Sequence, residues 1–187
     1  SVEQYPDDLM VVASTSDVLE ARESGRIGVI LTIEGAGRWL EGELDILGLY
    51  HRLGIRCIGI THGEGGDEPE MLQRTKSLFG PCKLSDRERE RQEAKGLTEF
   101  GKAVLKESNQ RGIVTDLAHI NDKAFYEVLE HSSLPVTMTH TAVFSLCNHW
   151  RCLTDDQLKA LAQAGGIMGV AFVPGFIHPE GATVDHL

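Results

Sequence analysis

The chain of 187 residues is 41% hydrophobic, enough to bury a sizeable core as one domain, yet short for an eight-stranded α/β barrel, for which ~250 residues is typical. A formal net charge of -10 without any basic stripe excludes nucleic acid as a partner class. No apolar run approaches the ~20 residues of a membrane-spanning helix, and residues 1–8 lack the pattern of a secretory signal, so a cytoplasmic location is expected.

In chain order, the first clear strand pattern is residues 28–33 (GVILTI), an apolar run that stops at Glu34. A helical pattern over 43–53 follows and ends at Gly54. The next strand, 55–61, stops at His62. Residues 63–95 break the pattern: they are rich in Gly, Glu, Arg and Lys, and 86–91 alternates in sign, which reads as a charged insertion loop. A helix is predicted over 99–110, then a strand over 112–117 leading to His119. A further helix spans 122–131, and the strand 135–139 leads to His140. The last helix, 155–164, carries the capping-box spacing of Thr154 and Gln157, with Gly165 and Gly166 as its stop, before a fifth strand over 167–172. The cysteines, Cys57, Cys82, Cys147 and Cys152, show no CxxC pairing and fit reduced, structural thiols.

Strand and helix alternate with a regularity that argues for βα units with right-handed crossovers, in a barrel or an open doubly wound sheet. Four strands run into an acidic or histidine residue at or just past the carboxyl end: Glu34, His62, His119 and His140. In parallel α/β folds those ends converge on one face, where ligands bind. Imidazole nitrogen and carboxylate oxygen together suit zinc and similar divalent ions. Taken singly, each residue has an ordinary reading, as a loop carboxylate, a helix cap or a structural histidine; their joint placement is what points to a metal. Asp116 either orients His119 or ends its strand. Arg151 either serves a substrate pocket or stacks on its neighbour Trp150. No glycine-rich phosphate-binding segment opens any helix, which disfavours a phosphate-binding domain.

The stretches ILTIEGA, LYHRLGIRCIGITH, GLTEFGKAVLKESNQRGIVTDLAHI, LPVTMTHTAVFSLCNHWRCLTDDQLKALAQAGGIMGV and FVPGF resemble the membrane (renal or microsomal) dipeptidase family of zinc peptidases. The resemblance extends over nearly the whole chain and is weakest over 63–95. It implies a (β/α)8 TIM-type barrel, a single domain over 1–187 that carries the central five strands and is truncated at both ends. It also implies zinc-dependent hydrolysis of dipeptides through a hydroxide shared by two zinc ions. On this basis Glu34 is the bridging carboxylate, His119 and His140 complete the shell of one ion, His62 contacts the substrate beside the scissile carbonyl, and Arg151 belongs to the substrate pocket. A homodimer is a further implication.

The sequence departs from the family in two places: no His-x-Asp pair precedes Glu34, and no Gly-Ser-Asp-Phe-Asp-Gly-like segment is present. Ligands for one metal shell are therefore expected in this chain. The alternative reading is an inactive relative or fragment that keeps one shell and acts as a binding or scaffold element.

Overall fold

The computed structural model describes residues 2–62, 96–149 and 151–186. The predicted insertion loop 63–95, with Cys82, and the proposed stacking partner Trp150 lie outside the described residues.

The strands are β1 (Leu9–Val11), β2 (Ile27–Val29), β3 (Leu31–Ile33), β4 (Ile55–Gly59), β5 (Val114–Asp116), β6 (Thr137–Thr141) and β7 (Ile167–Val170). The helices are α1 (Thr15–Ser24), α2 (Ala36–Leu40), α3 (Leu44–Arg52), α4 (Glu99–Arg111), α5 (Asp122–His131), α6 (Asp155–Gln163) and α7 (Pro174–Ile177). All strand pairs are parallel. The main sheet is ordered β3-β4-β5-β6-β7, and β1 pairs with β2. Only Ile30 separates β2 from β3, so residues 27–33 pair with β1 through their first half and with β4 through their second.

Spatial order that follows chain order without reversal is the mark of a singly wound barrel; a doubly wound sheet would reverse at a switch point. The expected α/β barrel type with a five-stranded central sheet is observed. A cavity of about 560 Å³ is lined by Val12, Thr32, Cys57, Val114, Thr137 and Ile167, among others.

Each helix forms for a local reason. Thr98 caps α4 by accepting from Gly101 N, and Gly112 at φ 68 takes the left-handed turn that ends it. Asn121 caps α5, which turns Ala124, Phe125 and Val128 into the core at helical spacing. The capping box expected of Thr154 and Gln157 is formed at α6, and Gln157 Nε2 also donates to Asp122 Oδ1 (2.9 Å), tying α6 to α5. The core joins Leu47 of α3, Ile58 of β4 and Ile60 just after it, Val104 and Leu105 of α4, Ile113 and Leu117 flanking β5, and Phe125 of α5. Burying one such side chain contributes about 1.5–3 kcal/mol. Among the described residues no helix is long and apolar enough to cross a membrane.

Candidate metal centre

The four residues expected to converge do so at the carboxyl ends of the strands. Glu34 follows β3 directly, and Gly35, at φ 71, opens α2 behind it. A Cβ at Gly59 would lie 3.4 Å from Glu34 Cγ, an ordinary contact distance, so β4 packs directly against Glu34. His62 lies three residues past β4, and His119 three past β5. His140 differs from expectation in one respect, because β6 continues through it to Thr141 rather than ending before it.

Glu34 Oε1 stands 3.1 Å from His119 Nε2 and 3.2 Å from His140 Nε2, and the two imidazole nitrogens are 3.1 Å apart. This near-equilateral triangle is the one group of three or more potential ligands found among the described residues. Two ligand atoms ~2.0–2.1 Å from a tetrahedral zinc lie ~3.3 Å apart, so the donor set fits such an ion. Mutual repulsion of acceptor atoms would oppose the triangle unless a cation or shared protons sat among them. His62 stands at its side, with Nε2 3.8 Å from Glu34 Oε2 and its ring centroid 4.7 Å from that of His119.

Burial pushes the His119 imidazole down to about 3, with the Arg151 guanidinium as the second cause and His62 and His140 after it. At neutral pH this ring is uncharged, the form in which imidazole binds metals. Its backbone has φ 67, a left-handed conformation unusual for a residue with a Cβ, and such strain gathers at functional sites. Arg151 is buried, with Nη1 2.5 Å from His119 Nδ1 and 2.8 Å from Nε2, and Nη2 donating to the His140 carbonyl at 3.4 Å. Its guanidinium also lies 5.7 Å from the Phe176 ring centroid, an aromatic contact the sequence reading did not foresee.

Asp116 turns its carboxylate to β6. Oδ1 accepts from Ala118 N and Thr139 N, at 3.0 and 2.9 Å, and Oδ2 accepts from Thr139 Oγ1 at 2.5 Å. Thr139 Oγ1 is also 2.8 Å from His140 Nδ1. Opposite this point the β6–β7 register shifts between Met138 and Thr141, across the segment that carries Thr139 and His140. Gly169 of β7 accommodates it, since a Cβ there would meet Thr139 O at 2.1 Å. Thr139, Gly59 and Gly169 were not singled out from the sequence. The only cue was a hydroxyl residue directly before a strand-end histidine.

The family model for membrane dipeptidase (peptidase family M19) matches residues 1–187. The chain belongs to the membrane dipeptidase family. An uncharacterized dipeptidase of Schizosaccharomyces pombe is 31% identical over 97% of this chain and 41% of its own length. A dipeptidase of Claviceps purpurea is 27% identical over all of this chain and 40% of its own. Among solved structures, a Rhodobacter sphaeroides metallopeptidase liganded with a phosphinate mimic of the dipeptide L-Ala-D-Ala superposes with a TM-score of 0.76, at 26% identity, over 96% of this chain and 48% of that one. A Pseudomonas aeruginosa amidohydrolase gives 0.77 at 26% identity, over 99% and 51%. The chain thus spans about half the length of the relatives it matches or less. Membership of a peptidase family with metallopeptidase relatives is consistent with the Glu34, His119 and His140 cluster, which could hold a metal ion.

Proposed function

We propose that the chain carries the metal- and substrate-holding part of a zinc-dependent dipeptidase, with Glu34, His119 and His140 holding one ion and Glu34 shared with a second. The observation that carries the reading is the triangle of one carboxylate oxygen and two imidazole nitrogens, all within 3.2 Å of one another, at the mouth of a parallel barrel sheet. The resemblance to a metallopeptidase solved with a dipeptide mimic supports the substrate class. A bound zinc ion supplies Lewis acidity and brings the pKa of a water molecule toward neutrality.

The protein's own groups do the rest. His119 is held neutral mainly by burial, so at physiological pH its ring can act as a neutral ligand, with the Arg151 guanidinium beside it. His62, with about half its side chain exposed beside Glu34, would donate from Nε2 to the oxygen of a scissile carbonyl as negative charge builds there. Arg151 offers a planar fork of donors, which a carboxylate can engage through two parallel hydrogen bonds. A buried guanidinium gains from such a counter-charge, so substrates with a free carboxylate close to the scissile bond are favoured, and dipeptides meet that requirement.

The test compares a dipeptide with its C-terminal amide in the full-length protein and in Arg151→Lys. Preference for the free acid by tenfold or more in kcat/KM, reduced in the variant, supports the reading. Turnover of neither, with metal bound, would favour a binding element over an enzyme.

A further inference from the structure

We infer that Thr139 and Asp116 form a proton-ordering relay that fixes the tautomer of His140, making both of them positioning residues for the metal centre. The inference rests on the metal reading of Glu34, His119 and His140 and deepens it.

The direction of each hydrogen bond follows from a count of protons. A carboxylate is an acceptor, and Asp116 fills this role three times, taking two backbone N–H groups on Oδ1 and the Thr139 hydroxyl on Oδ2 at 2.5 Å. Asp116 is 4% exposed, so water does not compete for these bonds. A threonine hydroxyl has a single proton, and here it is committed to Asp116. Toward His140 Nδ1, 2.8 Å away, Thr139 Oγ1 therefore presents only lone pairs. His140 must donate from Nδ1, and its Nε2 is left with the lone pair that faces Glu34 Oε1 and His119 Nε2. A histidine ligand is oriented by whatever its other nitrogen donates to, and loss of that partner typically lowers metal affinity ~10–100-fold. The hydroxyl sits between carboxylate and imidazole because β5 and β6 are adjacent parallel strands, with Asp116 registered against Thr137, two residues before Thr139.

One substitution reverses the relay without removing an atom from it. In Asp116→Asn the amide oxygen still accepts from the two backbone N–H groups, and the amide NH2 donates to Thr139 Oγ1. The threonine proton then turns to His140 Nδ1, and His140 carries its own proton on Nε2, where a metal would bind.

The test uses full-length protein, ¹⁵N-labelled at histidine, with the His140 signals assigned through His140→Gln. Long-range ¹H–¹⁵N correlation on metal-free protein reads the tautomer; chelator competition reads zinc affinity. Wild type and Thr139→Ser should show Nδ1–H and similar zinc affinity. Thr139→Val, of nearly the same shape, should lose that preference and bind zinc ~10–100-fold more weakly, and Asp116→Asn should show Nε2–H. Nδ1–H retained in both Thr139→Val and Asp116→Asn overturns the relay. If wild type shows Nδ1–H but neither it nor His140→Gln binds zinc, the relay stands and the metal reading falls; if only His140→Gln loses zinc while Thr139→Val does not, the relay falls and the metal reading stands.

Discussion

Replacing Gly169 with alanine is expected to push β7 away from β6 and to disturb the metal centre from a position that touches none of its ligands. The new Cβ would lie 2.1 Å from Thr139 O and 3.1 Å from Thr139 C, both backbone atoms that no rotamer change can move aside. Carbon–oxygen contacts between strands settle near ~3.3 Å, so the two backbones must part by ~1 Å or more. They must do so at the register shift that spans Thr139 and His140. Overpacking of this kind costs about 1–3 kcal/mol. With a urea m-value of ~2 kcal/mol/M, the midpoint should fall by ~0.5–1.5 M at unchanged m. Because the displaced carbonyl belongs to Thr139, zinc affinity should fall as well, whereas Gly175→Ala, where a Cβ meets nothing within 4 Å, should leave both unchanged. A Gly169→Ala protein with wild-type urea midpoint and zinc affinity would refute the claim that close approach of β7 shapes the site.

Further expectations concern the core and the ionisable groups. Phe125 is fully buried against the sheet, so Phe125→Ala should cost about 3–5 kcal/mol, read as a thermal midpoint lower by ~6–20 °C; a shift under ~2 °C would mean that α5 does not anchor the core. Burial, helped by the charge of Asp116, pushes the Cys57 thiol up to about 11, so at pH 8 it should resist alkylation in the native protein and react once the protein is denatured; rapid native labelling would contradict its placement. His119 is held near 3, against 6.5 for an ordinary histidine, mainly by burial. The unfolded chain therefore takes up a proton between those values that the folded chain does not, and the metal-free protein should lose stability as pH falls from about 7 toward 3. His119→Gln should show a shallower loss across the same window in urea titrations, and an unchanged slope would argue against a neutral buried ring.

The readable parts of this sequence were those where local chemistry and tertiary structure agree. Helix α5 matches its predicted range, and α6 carries the predicted capping box, because a cap, an amphipathic run and a stop coincide there. Glu34, His119 and His140 were legible because a strand that runs into a metal-capable residue is unusual, and strands β3, β5 and β6 of one parallel sheet bring those residues together at their carboxyl ends. Helix α1 was missed because only Ala21 of its ten residues is buried, which leaves no apolar stripe to detect. Strand β1 is three residues long, too short for its period to show. The choice between a barrel and a doubly wound sheet depends on strand order, which no local pattern encodes. Asp116 was read as either orienting His119 or ending its strand; it does end β5, and two of its three hydrogen bonds run across the sheet to Thr139, a partner that depends on register rather than sequence distance.

The most direct test of the account is the metal content of the purified full-length protein beside Glu34→Gln, His119→Ala and His140→Ala, with folding of each checked by circular dichroism. Zinc is expected in the wild type and should be lost from every variant whose fold is intact, with the shared ligand Glu34 affecting the most metal. Wild-type zinc content in folded His119→Ala and His140→Ala proteins would place the metal elsewhere and contradict the assignment of this triangle as the site.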